Sequence, residues 1–527
     1  MSEALIIQTP GTMTGSNGKK LENYVGIEFT RGASNNGGEH GYHKMIGDEE
    51  LLKNLPLFDQ IKLALVKDAT VTSVLNQTNI NKTADGGNVD LTGADGSDIM
   101  QVFPDLWCII GGTDPTYERF IYSDSYFEYG NDKAFKWNAF AQSPSQLIVV
   151  NNKARSIYSN NPGYMGTTKA KEISDGSFAN NRGYPTAEYS RPRFEAAAKA
   201  RNADVNANKP YMNGTTLDME IIMGLLFVEC RTKDLTSVFG HGISSNVVPS
   251  DSNWDTTSGF RTLVNDTYKY FTFSSSVYIG GQNINLWLAL NGQSSLTKVL
   301  EPQKLVSDGA TLTPVYNSDG QPLKGISNGV MTGVLKKTLT FKLTCGLNKN
   351  EDETEHLFEM NLMNAIWRGD SWISGNVWKF LSGYEVVNFR NHGDTADRNI
   401  LFRAKDIDSI VTDSNFEDSD TKFYFESIYE EVCDLGSQKT WTKNAITHNG
   451  ICLAVTKDAG GDINNYQSAF ISVVNNNTTG KRRRKTAGMF GGNALYDYSV
   501  PRLCSATLVP SFETSHVASR FRCELVL

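Results

Sequence analysis

Gly491-Gly492-Asn493-Ala494-Leu495-Tyr496-Asp497-Tyr498 opens the final stretch of a 527-residue chain, which continues through Arg502-Leu503-Cys504 and closes on Arg520-Phe521-Arg522-Cys523-Glu524-Leu525-Val526-Leu527. Glycine admits backbone conformations that a side chain forbids, so the double glycine reads as an entry turn. After it, aromatics and Asn stand where a packed strand would alternate apolar and polar residues. A short strand-like pattern returns from Arg520 to Leu527. This is how a surface loop pinned between buried strands reads.

Three further stretches stand out upstream. Residues 85–104 hold Asp85-Gly86, then Asp90-Leu91-Thr92-Gly93 and Asp95-Gly96, then Met100-Gln101-Val102-Phe103-Pro104. Residues 193–242 read as paired helices. Trp367-Arg368-Gly369 is followed by Ser374-Gly375-Asn376-Val377-Trp378. In this order, and over roughly a third of the chain, the four stretches resemble the formylglycine-generating-enzyme (sulfatase-modifying factor) branch of the C-type lectin fold. They are similar also to phage tail and virion proteins, among them the variable proteins diversified by retroelements.

The resemblance, together with the strand and helix patterns, implies an α+β protein in three parts: an N-terminal arm over residues 1–50, a β-rich anchoring domain over 51–180, and a C-type-lectin-like domain over 181–527 with a β-rich insertion at about 243–360. It implies a structural protein of a tailed-bacteriophage virion, made in the host cytoplasm and displaying the lectin-like domain for attachment to a host-surface glycan or protein. Other virion subunits are the expected partners, with a homo-oligomer as the expected assembly. A rival reading within the same resemblance is a head-decoration or tail-assembly protein whose lectin-like face meets only other subunits. A third is an enzyme on the formylglycine-generating-enzyme fold.

On this reading the ligand face falls on Asn493, Tyr496, Tyr498, Arg502, Thr514 and His516. Tyrosines give wide contact area at low entropic cost, and the polar residues adapt their hydrogen bonds, as in antibody paratopes. Burial against another subunit is the competing account of the same residues. The resemblance further implies that Cys504 and Cys523, near the ends of the family's last two strands, form a structural pair. Two departures matter. The enzyme branch needs two redox cysteines side by side just before this segment, and Asn493-Ala494-Leu495-Tyr496-Asp497 stands there instead. No catalytic residue, cofactor or enzymatic activity is therefore expected. The glycine that precedes Phe-Arg-Cys in the family is Arg520 here, a cation that would close the ligand face or salt-bridge a neighbour.

Composition narrows the classes further. A net charge of −8 argues against a general nucleic-acid binder, whose footprint would be a basic face, so no nucleic-acid partner is expected. Forty-six glycines with 20% charged and 10% aromatic residues suit a loop-rich β or α+β protein. The seven cysteines form no CxxC and no zinc spacing, and their odd number suits reduced, structural thiols. The longest apolar run, Ile221 to Val228, is too short to cross a bilayer, and no apolar segment behind a charged one opens the chain, so membrane insertion is not expected.

Several local patterns complete the reading. Residues 1–50 are polar and Gly/Asn-rich, with little periodicity after Tyr24-Val25-Gly26-Ile27, and His40-Gly41-Tyr42-His43 within them reads as a solvated loop before a metal site, because no third ligand accompanies it. Strands are expected at Ile61 to Val66, Ala69 to Leu75 and Ile99 to Ile110. Asp85, Asp90, Asp95 and Asp98 miss the EF-hand template and read as a turn-rich hairpin connection. Ser190 and Thr215 are placed to cap two helices, the second with Asp218 three residues on, and Leu217, Ile221, Ile222, Leu225, Leu226 and Val228 recur at helical spacing. Glu220, Glu229 and Arg231 on that helix favour pairing and end-capping over catalysis. Alternation at Leu339 to Thr344 marks a strand in the insertion, and Trp367, Trp372 and Trp378 read as buried. Lys481-Arg482-Arg483-Arg484-Lys485, the one strong charge run, reads as a solvated loop or subunit salt bridge before a phosphate site.

Overall fold

Tyr24-Val25-Gly26-Ile27-Glu28-Phe29-Thr30 alternates with period two, and in the computed structural model it is strand β1, with Val25, Ile27 and Phe29 buried on one face. The structure describes residues 18, 22–31, 42–47, 56–77, 79–91, 93–144, 147–157, 186, 189–204, 211–233, 235–239, 260–263, 268–273, 285–290, 303–304, 311–313, 332–345, 354–370, 378–389, 398–410, 429–434, 440–442, 445–448, 451–454, 457–458, 470–473, 483–486, 489–490, 503–506 and 517–526. These residues are mostly strands in several sheets, with few helices. β1 lies between β2 (Lys44–Gly47) and β8 (Tyr117–Ser123) in a five-stranded antiparallel sheet. The expectation of an aperiodic arm over residues 1–50 is corrected for these two segments. Phe29 extends the alternation beyond Ile27 and gives β1 a full apolar face.

The second sheet has seven strands. Lys62–Lys67 (β3), Thr70–Asn76 (β4), Asn79–Thr83 (β5) and Asp98–Phe103 (β6) fall near the expected positions. The expected Ile99–Ile110 strand is two strands. Pro104 lacks the amide that a ladder needs, and the chain turns there before β7 (Leu106–Gly111), which joins the five-stranded sheet. The order of the second sheet is Tyr211–Asn213 (β10), Phe521–Glu524 (β17), Phe140–Gln142 (β9), β6, β3, β4, β5. The last strand of the chain thus lies inside a sheet whose other members come from residues 62–213. The sheet runs without a break across the expected boundary between residues 180 and 181.

Helix α2 (Thr216–Cys230) packs against the five-stranded sheet, and every one of its residues is buried. A helix buried all round needs cover on every side. It gets that cover from Phe29, Phe120 and Tyr122 together with Leu381, Tyr384, Val386 and Leu401. Gly224 sets the approach distance: the Tyr122 hydroxyl donates to the Ile221 carbonyl at 3.0 Å, and a Cβ at position 224 would lie 1.9 Å from that oxygen. Thr215 caps α2 as expected, accepting from the Asp218 amide while its hydroxyl donates to the Asp218 carboxylate. Ser190 precedes helix α1 (Arg191–Lys199) in extended backbone, but its hydroxyl makes no cap bond, which corrects that expectation. Pro at the start of the helix removes one amide that would otherwise need a partner.

Later strands build further sheets. Gly333–Cys345 and Thr354–Ile366 form a long antiparallel hairpin. Tyr429–Asp434 (β13), Arg398–Ala404 (β12), Tyr384–Phe389 (β11) and Arg483–Thr486 (β14) form a four-stranded sheet in that order. The basic run was expected as a solvated loop or a subunit salt bridge; from Arg483 to Thr486 its backbone is a strand, at the edge of this sheet among the described residues. Trp378–Phe380 (β18) pairs in parallel with Val517–Ser519 (β16), and antiparallel with Met489–Phe490 (β15).

Candidate functional site

The terminal strands meet the tryptophan-bearing piece at a buried polar joint. Trp367-Arg368-Gly369-Asp370 is a two-residue turn closed by mutual backbone bonds between Trp367 and Asp370 at 2.9 and 2.8 Å. Arg368 (φ 47°) and Gly369 (φ 84°) both lie in the left-handed region, as a type I′ turn requires. Arg368 bears a side-chain cost in that conformation, and its surroundings hold it there. Its Nη2 and Nε donate to the two oxygens of Glu229 at 2.6 and 3.2 Å, and its Nη1 donates to the Phe58 carbonyl. Trp367 Nε1 donates to the same Glu229 at 2.7 Å. Glu229 is therefore the pairing residue that its place on an apolar helix suggested, and Glu220 likewise accepts from the Tyr384 hydroxyl at 3.3 Å.

The turn aims Asp370 at the C-terminal tail. Arg520 Nη1 and Nη2 donate to the two Asp370 oxygens at 3.0 and 3.1 Å, with both side chains buried. Gln101 donates to the carbonyls of Trp367 and Arg368, each at 3.2 Å, and Gln142 donates to Gln101 at 2.9 Å, so β6 and β9 bind the same turn. Arg520 was expected to close a ligand face or to bridge to a neighbour. It points inward instead, to an acid of its own chain, and this corrects the expectation. Burial and the Arg520 charge push the Lys379 ammonium well below its ordinary value, against the pull of Asp370.

A second buried pair ties the tail to α2. Arg522 Nε lies 2.9 Å from Asp218, which also accepts from Trp137 Nε1 at 3.2 Å. Burial raises the Asp218 carboxyl, while Arg522, Thr215 and Trp137 act in the opposite sense. Cys523, on the other face of the same strand, is a free buried thiol pushed up to about 12, chiefly by desolvation. The structural pair with Cys504 implied by the family resemblance is thereby corrected. Cys504 lies on Leu503–Ala506, a strand of a different sheet.

Two carboxylates of residues 85–98 hold structure together, Asp95 within the turn and Asp98 across to residues 155, 156 and 201. Asp98 accepts from Arg155 Nε (2.8 Å), Arg201 Nη2 (2.6 Å) and the Ser156 amide (2.9 Å), and Asp95 accepts from the Ser97 amide and hydroxyl. His43 stacks on Tyr117 and lies 3.9 Å from Glu28. Among the described residues, no group of three metal-ligating side chains converges.

The sequence-predicted ligand residues Asn493, Tyr496, Tyr498, Arg502, Thr514 and His516 all lie outside the described residues. What the structure brings together is the frame on either side of them: β15 before the stretch, and β16 and β17 after it. Sequence reasoning missed Asp370 and Gln142, and it quoted Arg368 within the Trp-Arg-Gly motif without giving it a role; the signal was weak, because a buried acid can be inferred only once Arg520 is known to be buried. No family model and no curated protein matches the chain.

Proposed function

We propose that this chain is a structural protein of a tailed-phage virion whose C-type-lectin-like C-terminal region attaches the particle to a host-surface glycan or protein. One observation supports it above others. Trp367–Asp370, β18 and the terminal strands belong to one hydrogen-bonded body, and in the sequence residues 491–516 run between β15 and β16 of that body. A scaffold that holds strands on either side of a stretch with two Tyr and four Ser is the arrangement in which loop side chains can vary while the scaffold supplies stability. In this reading the α+β architecture divides into an anchoring β-rich part and the lectin-like part with its insertion, and the chain carries no catalytic role.

The test uses the whole chain. Purified protein at saturating concentration competes with intact phage for adsorption to host cells, and Tyr496→Ala with Tyr498→Ala removes that competition while leaving the near-ultraviolet circular dichroism unchanged. Particle labelling by an antibody against the chain, without any loss of adsorption when the protein is added, would shift the role to subunit assembly. Failure to label particles at all would end the virion reading.

A further inference from the structure

Leu106, Cys108 and Ile110 of β7 face α2, so Trp107 and Ile109 lie on the other face of the five-stranded sheet. The attachment reading makes no use of that face. Its aliphatic residues, Ile46, Ile109 and Ile121, are buried together with Phe127. What reaches solvent beside them is aromatic and polar. Tyr126 is 50% exposed, and its ring meets the partly exposed Trp107 with 5.2 Å between centroids and 83° between planes, so the two rings form a corner. Lys136 stands opposite Trp107 on the edge strand Phe135–Trp137, with its ammonium 2.8 Å from Asp105. The Tyr126 hydroxyl donates to Glu128 at 2.5 Å. Among the described residues nothing accepts from the Trp107 indole N–H, whereas Trp137 and Trp367 donate theirs to Asp218 and Glu229.

We propose that the Trp107–Tyr126 corner binds a neutral pyranose unit of a glycan. A pyranose ring carries C–H groups on its face and hydroxyls around its rim, so it needs an aromatic plane with donors and acceptors at the margin. Trp107 supplies the plane and an N–H, and Lys136, Asp105 and Glu128 supply the margin. Tyr126 adds a second wall at a right angle, with only two side-chain torsions to order. A protein partner is less well served, because an interface core is depleted of charge and takes a continuous apolar patch. Here charged side chains border each ring, and among the described residues Tyr126 and Val526 are the only large apolar side chains that stand exposed. The flanking charges pair with opposite sign, Lys136 with Asp105 and Lys133 with Glu128, which favours a neutral sugar over an anionic one. Every residue of this site lies between 105 and 136, so it is independent of the attachment reading for residues 491–516.

The experiment is binding of the full chain to an array of neutral oligosaccharides built from glucose, galactose, mannose and the N-acetylated hexosamines, followed by saturation-transfer NMR on the tightest binder. Transfer is expected chiefly to the C–H protons of one pyranose face. Tyr126→Ala weakens binding about tenfold, and Trp107→Ala with Tyr126→Ala abolishes it. Because Tyr126 is half exposed, its single variant keeps the urea midpoint of the unchanged chain, which separates a lost contact from lost folding. Failure of every oligosaccharide on the array to bind overturns the proposal, and so does binding that Tyr126→Ala leaves undiminished. Sedimentation in which the chain self-associates and Tyr126→Ala does not, with no sugar bound, also overturns it, by giving the corner to a second copy.

Discussion

Replacing Arg520 with Met takes two guanidinium bonds away from Asp370, a carboxylate buried among Gln142, the Trp367 turn and the tail. Two opposing terms set the size of the effect. The pair loses its mutual attraction, which desolvation had largely cancelled, but the carboxylate left behind keeps its full desolvation cost. Breaking one partner of such a pair costs about 3–5 kcal/mol, whereas replacing both with apolar residues is close to neutral. Arg520→Met is therefore expected to lower the unfolding free energy by about 3–5 kcal/mol, and Arg520→Met with Asp370→Leu to recover most of it. Urea unfolding followed by near-ultraviolet circular dichroism measures both, with the slope against urea held as a check that the same transition is observed. A loss below about 1 kcal/mol for the single change, the range of exposed ion pairs, would mean that water reaches Asp370. The joint between the tryptophan turn and the tail would then not be closed.

Four further outcomes follow from the same geometry. Gly224→Ala gains up to about 1 kcal/mol of helix propensity, but its methyl would meet the Tyr122 hydroxyl at 1.9 Å and Phe120 at 2.9 Å, so a net loss of about 1–3 kcal/mol is expected in the same urea assay; a gain would show that α2 can move off the sheet. The Cys523 thiol, buried and pushed up to about 12, should resist iodoacetamide at pH 8 until urea unfolds the protein, as mass spectrometry of the tail peptide reads; labelling of the native chain would contradict its burial. Asp114 is held low by the amides of Thr116 and Tyr117 and by Arg119, so its folded pKa lies below 3.8, and the stability it contributes is present above that pH and lost as pH falls through the folded value; Asp114→Asn should flatten the acid limb of a stability–pH curve, and an unchanged limb would refute the assignment. Trp367→Phe shortens a fully buried indole to a single phenyl ring and removes the donor to Glu229, so the lost hydrogen bond, about 1–3 kcal/mol, adds to a cavity cost in thermal unfolding; no cost would mean that Arg368 alone satisfies that acid and that the core closes over the gap.

How much of this the sequence disclosed depended on whether a residue's partner lay nearby in the chain. The Thr215–Asp218 cap and the buried stripe of α2 were legible because helix periodicity and capping are local signals. β1 was legible too, had Phe29 been counted with Val25 and Ile27. The loop expected at the basic run is a strand from Arg483 to Thr486, because the pairing of β14 with Val386 and Val387 is set by distant chain and leaves no local signal. Arg520 misled for a similar reason. Its partner is 150 residues away, and a buried arginine cannot be told from an exposed one until the acid is in place. The splitting of Ile99–Ile110 at Pro104 was a missed local signal, since proline lacks the ladder amide.

The tail also shows why the charges belong where they are. Along β17, Phe521 and Cys523 face the apolar cluster that holds Tyr211 and Val102, while Arg520 and Arg522 lie on the opposite side with Asp370 and Asp218. A strand that slips by one residue turns every side chain to the other face. Here a slip would drive two arginines into the apolar cluster and leave two buried carboxylates facing Phe521 and Cys523, so each ion pair penalises the wrong register more than it stabilises the right one. The strand needs that discrimination because it enters between β9 and β10, with a ladder to satisfy on both edges. Apolar residues at 520 and 522 would pack against either face, and the register of the sheet's interior strand would then rest on its short flanking bonds, Leu525 to Ala139 and Val526 to Ala69.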